Sequence, residues 1–225
     1  MDIDTRGWHR RPLASLDFEA TGVDPLRDRI LSYALLTGSD GVVTGLVNPG
    51  VPIPPESVDV HGITEDRLRD APPPAEGLAV VVDWVQSLID RGIGLVVFNA
   101  CYDLTMLRAE AERHGLRQPD WSRLLVVDPF VVDWGVGREA RRLVDVAAAY
   151  GVAVERAHDA QCDARAAHDV AVELAARFPQ VGMATLVQLM ESQRRWFADR
   201  THEWNAAAEA TGRRFENPAG WPLTA

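Results

Sequence analysis

Three apolar runs joined by tight-turn residues open the chain. The first lies in Leu13-Ala-Ser-Leu-Asp-Phe-Glu-Ala-Thr-Gly22, the second spans Arg29–Thr37 and the third Val42–Val47. Thr21-Gly22-Val-Asp-Pro25 and Gly38-Ser-Asp-Gly41 read as the turns between them. Connections this short force antiparallel neighbours, so the opening predicts a three-strand meander. Beyond it the pattern changes. Ala75–Asp90 carries Leu78, Val81, Val82, Val85 and Leu88 at helical spacing, and Gly92 and Gly94 stop it before the fully apolar Leu95–Phe98, a buried strand. Asn99–His114 reads as helix, Leu124–Asp128 as another short apolar run, and Arg138–Tyr150 as helix ended by Gly151. The predicted fold class is α/β: a mixed central sheet, antiparallel meander plus parallel strands, flanked by helices.

Elsewhere Asn48–Pro55 leaves the sheet, Thr64 caps a short helix over Glu65–Asp70, and Pro72-Pro73-Pro74 is a stiff spacer. Asp159–Phe178 reads as a helix with Asp163, Ala167, Val170 and Leu174 on one stripe, and Pro179 ends it. Met183–Arg214 reads as one long helix carrying Trp196, Phe197 and Trp204, followed by an extended Asn217–Pro222. The expected division is an arm at 1–11, a catalytic domain at 12–180 and a C-terminal helical extension and tail at 181–225.

With 225 residues and 47% hydrophobic content, the chain has material for one compact domain of moderate size. Its formal charge of −10 argues against a broad duplex-DNA binder, whose affinity would come from many basic phosphate contacts. A small site that holds phosphate through bound cations is compatible with that charge. All 23 basic residues are Arg, a bias that fits GC-rich coding and carries no functional weight. Cys101 and Cys162 lack C-x-x-C spacing and read as reduced thiols, neither a zinc ligand. No apolar stretch has the length of a membrane span, and Arg6, Arg10 and Arg11 lead into an acid-bearing strand; the expected setting is cytoplasmic, without a membrane partner.

The acids carry the chemistry. Strand periodicity puts Leu13, Ser15, Asp17 and Glu19 on one face and Ala14, Leu16 and Phe18 on the other. At about 4 Å, two anions repel by roughly 4 kcal/mol at an effective dielectric near 20, which calls for a proton, a cation or a basic partner. An isolated pair of this kind is more often a strand surfacing into a loop with two solvated acids. Asp103, however, sits in the first turn of the helix after a buried strand, at the carboxyl end where ligands collect in open sheets. Asp163 adds a fourth acid from a helix N-terminus, and His158 stands on the loop before it. Hard oxygen ligands suit Mg²⁺ or Mn²⁺, and two such ions about 4 Å apart serve phosphodiester hydrolysis, with an imidazole near neutral pH taking a proton from the attacking water.

In order and spacing these residues resemble the DEDDh class of 3′-to-5′ exonucleases of the ribonuclease H-like superfamily, similar to polymerase proofreading exonucleases. The resemblance covers roughly Pro12 to Phe178, through Asp17-Phe-Glu-Ala-Thr-Gly22, Asn99-Ala-Cys-Tyr-Asp103 and His158-Asp-Ala-Gln-Cys-Asp163. Asn48-Pro49-Gly50, Ile53-Pro54 and His61-Gly-Ile-Thr64 look like the family's stretch beside the terminal nucleotide.

The resemblance implies that Asp17, Glu19, Asp103 and Asp163 hold two Mg²⁺ or Mn²⁺ and that His158 is the general base. It also implies that Thr21, Gly22, His61 and Asn99 lie against the substrate, a single-stranded or frayed 3′ end. The sequence departs from the pattern at Ala20, where a hydroxyl residue is usual, and at Phe98, where a His often precedes the Asn. Neither removes a ligand. For His61 a structural role in its loop weighs equally. Asp159 reads as an N-cap, Asp128 stays outside the catalytic set, and Trp121, Trp134, Trp196 and Trp204 read as packing. DNA is favoured over RNA as substrate. The alternatives are an RNA-processing exonuclease of the same class, or a noncatalytic module that binds a polymerase or other protein; the expected protein partner at the C-terminal helix is a polymerase or a second copy.

Overall fold

A computed structural model of the chain describes residues 7–38, 41–139, 141–212 and 220–224. Most of the expected N-terminal arm, the middle of the Gly38–Gly41 turn, the expected end of the tail helix and Asn217–Ala219 lie outside the described residues. The meander is present: β1 (Leu13–Ala20), β2 (Ile30–Thr37) and β3 (Gly41–Leu46) pair antiparallel in sequence order. On the other side of β1, β4 (Gly94–Val96) and β5 (Val126–Val127) add in parallel, giving the order β3-β2-β1-β4-β5. This is the mixed, helix-flanked sheet that the sequence predicts.

The helices are α1 (Pro55–His61), α2 (Glu65–Leu68), α3 (Pro74–Arg91), α4 (Ala100–Arg113), α5 (Pro129–Gly135), α6 (Leu143–Tyr150), α7 (Ala160–Arg177), α8 (Pro179–Gly182) and α9 (Leu186–Ala210). Two expectations are corrected and one element is added. Helix α1 forms where the sequence reading places no element: Pro55 starts it and the left-handed Gly62, at φ 70°, ends it, but its residues show no apolar stripe. The helix expected over Arg138–Tyr150 begins only at Leu143, and a separate α5 precedes it, with Asp128 as its N-cap and Pro129 at its first position. The tail helix starts at Leu186, because Thr185 and Gln188 form a reciprocal capping box, and the short α8 stands between it and α7.

One face of the sheet is covered by α3 and α4, whose Leu78, Val81, Val85, Leu104 and Leu107 pack against Leu16, Phe18 and Leu95. On the opposite face α6 and α7 bury Val146, Val170 and Leu174 with Leu13, Val96 and Val127. Trp8 joins this second cluster and donates from Nε1 to the Val181 carbonyl at 2.9 Å. Met190, Phe197 and Trp221 belong to the first, so residues on both sides of the 12–180 span pack into the cores that it builds.

Helix α9 runs along the β5 edge. Its Gln193 accepts from the Asp128 N–H at 2.7 Å and donates to the Val126 carbonyl at 2.9 Å, standing in for a neighbouring strand on an otherwise open edge. Trp134 packs between Phe130, with centroids 4.1 Å apart, and Trp204, in the contact between α5 and α9. Among the described residues no helix is long and apolar enough to cross a membrane.

Candidate metal centre and active site

Asp17 and Glu19 share the α7-facing side of β1, opposite Ala34 and Ser32 of β2. The register with β2 shifts between Glu19 and Ala20, so Leu31 has no partner on β1, a bulge that turns the strand where its acids end. On this face Ala34 and Leu36 pack against Ala160 and Ala164 of α7. The alanine side chains let the helix N-terminus lie close to the sheet, and Asp163 arrives beside the two strand acids. One carboxylate oxygen from each of Asp17, Glu19 and Asp163 lies within 4.8 Å of the others.

His158 stands on the loop before α7 in a left-handed backbone conformation, φ 62°, and its N–H donates to Asp163 Oδ2 at 2.9 Å. This loop is closed by Asp159, which caps α7 by accepting from the Cys162 N–H at 3.2 Å, the N-cap role expected of it. Asp103 comes from the first turn of α4 and is buried. Its Oδ1 accepts the Phe18 N–H at 3.2 Å, which places the carboxylate against β1 between the two strand acids in sequence.

Burial raises Asp17 well above the usual carboxylate range, and the charges of Asp103, Glu19 and Asp163 raise it further. Burial, then the charges of Asp163 and Asp159, pushes Glu19 up to about 8. Asp103 is raised by burial against the opposing pull of the Phe18 N–H, and Asp163 by burial against that of His158. Four acids that are each shifted towards the protonated form make a site that a cation would stabilise by displacing protons. The donor set is all hard oxygen, and Asp163 Oδ1 is buried without a hydrogen-bond partner. The arrangement fits a divalent metal centre.

Beside it lies a cavity of about 600 Å³ lined by Glu19, His61, His158, Tyr33 and Arg67, among others. His61 ties its loop, since Nδ1 accepts from the Ile63 N–H at 3.0 Å, and its Nε2 is buried. Burial lowers its pKa, which favours the neutral ring. Thr21 is engaged within the protein, donating to Asp28 Oδ1 and accepting from the Arg29 N–H, both at 2.9 Å. Gly22 is required by close approach, since a Cβ there would lie 2.6 Å from Asp28 Oδ2. Asn99 is exposed, starts α4 with a left-handed backbone at φ 60°, and is not among the residues that line this cavity.

Three residues support the site: Tyr102 and Ser57 escaped the sequence reading, and Asp128 entered it only as an acid left outside the catalytic set. The Tyr102 hydroxyl bonds the Gly22 carbonyl, and Ser57 Oγ donates to the Thr21 carbonyl at 2.7 Å, so the turn after β1 is held from α4 and α1. Asp128 accepts the N–H groups of Asn99 and Ala100, both at 2.9 Å, and thereby holds the start of α4. Of the three, only Asp128 had a local signal: an acid directly before a proline, the pattern of a helix start.

The sequence profile of the exonuclease family (RNase_T) matches residues 15–171, which include every acid of the cluster and His158. The chain belongs to this family. With its acid set and His158 it falls in the DEDDh class, the 3′-to-5′ exonucleases. The chain is 31% identical over 159 residues to DNA polymerase III subunit epsilon of Treponema pallidum, which covers 67% of this chain and 70% of that protein. It spans 20% or less of several longer curated relatives. In fold it is similar to E. coli exonuclease I in complex with a dA16 oligonucleotide, with TM-score 0.61, 20% identity and coverage of 76% of this chain and 42% of that one. It is also similar to the nuclease domain of 3′hExo, a DEDDh family member bound to rAMP, with TM-score 0.60, 17% identity and coverage of 74% and 92%.

Proposed function

We propose that this exonuclease shortens single-stranded or frayed DNA from the 3′ end, releasing nucleoside monophosphates, in the cytoplasm. The carrying observation is the convergence of Asp17, Glu19 and Asp163 within 4.8 Å, with Asp103 buried behind them. In this reading the four carboxylates hold two Mg²⁺ or Mn²⁺ ions. Bound there, the ions supply charge neutralisation at the scissile phosphate and a lower pKa for a coordinated water. The protein's own part is to orient and to move protons. An imidazole nitrogen of His158 takes the proton of the attacking water, and the bond from its N–H to Asp163 keeps the ring's loop beside the acids.

His61, which lines the cavity, and the fixed Thr21–Gly22 turn border the path of the terminal nucleotide. Asn99 borders it from the start of α4. The similarity to a polymerase III epsilon subunit supports DNA and a proofreading or repair setting. A polymerase or a second copy would meet the outer face of α9, because Leu189, Met190, Gln193 and Phe197 on its inner face are buried.

The test is a degradation panel with Mg²⁺ or Mn²⁺: 3′-labelled and 5′-labelled single-stranded DNA, duplex DNA with a mismatched 3′ end, and single-stranded RNA of equal length. Stepwise shortening from the 3′ end of the first two supports the proposal. Preference for RNA would overturn the substrate, and an inert protein with both metals would overturn the activity.

A further inference from the structure

The end of the described chain crosses the helix that carries Asp103. Residues 220–224 lie as a strap on α4: the Thr224 N–H donates to Thr105 Oγ1 at 3.0 Å, the Cys101 thiol approaches the Gly220 carbonyl at 3.4 Å, and Arg108 bonds the Thr224 carbonyl. Trp221 is 7% exposed and packs in the same core cluster as Leu104 and Phe130. Its Nε1 donates to Asp128 Oδ2 at 3.1 Å.

Asp128 is 1% exposed and its carboxylate is filled by four donors. Oδ1 takes the N–H groups of Asn99 at 2.9 Å and Phe130 at 3.1 Å, and Oδ2 takes Ala100 N–H at 2.9 Å and Trp221 Nε1. Asn99 makes no side-chain capping bond of its own, so the first turn of α4 is capped from β5's end by Asp128. Asp103 lies in that turn. A buried carboxylate with every acceptor position occupied is held in one orientation, and losing one donor leaves part of it unsatisfied and loosens its hold on the other three.

We infer that the strap is a positioning element of the exonuclease site: Trp221, by completing the hydrogen bonds of Asp128, fixes the first turn of α4 and with it the aim of Asp103. This rests on the proposed place of Asp103 in the metal centre. Trp221 and Asp128 touch neither metal nor substrate in this scheme; they are positioning residues.

The experiment uses the full chain and Mn²⁺ as probe, with bound ion read from the electron paramagnetic resonance signal of free Mn²⁺ and turnover read on a single-stranded oligodeoxynucleotide. Trp221→Phe keeps an aromatic ring in the core and removes only the donor. It is expected to weaken Mn²⁺ binding about tenfold, in the range known for partners that orient metal ligands, and to lower kcat with KM unchanged. Trp8→Phe is the matched control, since it removes another buried indole donor, the one bonded to Val181. It is expected to lower Tm and leave Mn²⁺ binding as in wild type. Asp128→Asn is expected to weaken Mn²⁺ binding, and Trp221→Phe added to it to have no further effect.

Wild-type binding of Mn²⁺ that Asp17→Asn abolishes but Trp221→Phe leaves unchanged would overturn the strap alone. Additive losses in the Asp128→Asn, Trp221→Phe pair, or an equal loss in Trp8→Phe, would also overturn it. A wild-type protein that takes up no Mn²⁺ would overturn the metal centre and the strap's role together.

Discussion

The Phe18 N–H donates to Asp103 Oδ1 at 3.2 Å, at the point on β1 where its strand neighbour has run out. Pairing between β1 and β4 ends at Ser15 and Val96, so beyond it a carboxylate from α4 continues the work of the missing strand. Asp103 is therefore both a candidate metal ligand and a structural acceptor, and two substitutions separate the roles. In Asp103→Asn the amide oxygen still accepts from Phe18, so the metal-free variant should melt no lower than wild type while nucleotide release falls by about a thousandfold or more, the scale of several kcal/mol of lost metal assistance. In Asp103→Ala the N–H of Phe18 also loses its partner, and stability should fall by about 1–3 kcal/mol. Denaturant melts beside a labelled-oligonucleotide assay measure both.

The raised acids make the metal-free protein sensitive to pH in an unusual direction. Glu19 titrates near 4.5 when unfolded but about 8 when folded, so its contribution is fully favourable below about 4.5 and is lost as pH rises to about 8. Asp17, Asp103 and Asp163 shift in the same direction. Without divalent metal, Glu19→Gln should melt above wild type at pH 8, with the difference closing towards pH 5. Mg²⁺ or Mn²⁺ should raise the wild-type Tm at pH 8 and release protons on binding. Calorimetry in two buffers of different ionisation enthalpy counts those protons; binding without proton release would contradict the raised values.

Local pattern made part of this site legible. A two-residue period placed Asp17 and Glu19 on one face, and the His158 to Asp163 spacing placed an imidazole before a helix acid. Convergence came from the family resemblance and not from local pattern, because it depends on Ala160 and Ala164 meeting Ala34 and Leu36 across the fold, and small residues carry no local signal of what they pack against. Helix α1 was hidden because it lacks an apolar stripe. Asp128 showed its helix-capping half in Asp128-Pro129, while its hold on Asn99 and Ala100 exists only once β4 and β5 are neighbours. Gln193 did leave a trace: a polar residue on the helical face of Leu189, Met190 and Phe197 that the fold buries.

His158 offers a test of chemistry separated from folding. Its backbone sits at φ 62°, a region that asparagine tolerates better than most residues. His158→Asn should keep the loop and the N–H bond to Asp163, bind Mn²⁺ as wild type does, and lose the general base. The expected fall in kcat is about 10²–10⁴, the usual range for a positioned acid–base group. A variant that turns over as fast as wild type would assign the base elsewhere.

Gln193 predicts how the sheet edge fails. It is fully buried, and its amide satisfies both the Asp128 N–H and the Val126 carbonyl on the outer side of a strand only two residues long. Gln193→Leu conserves volume but leaves two buried backbone groups without partners, at about 1–3 kcal/mol each. The variant should lose about 2–6 kcal/mol in a urea melt, whereas Glu191→Leu, on the exposed side of the same helix, should change stability by less than about 0.5 kcal/mol. Because Asp128 follows β5 directly and caps α4, the damage should travel: amide exchange at Asp128 and Ala100 should quicken together, while exchange in β2, three strands from that edge, stays slow. Equal quickening across the whole sheet would mean that α9 stabilises the fold generally and not through this edge.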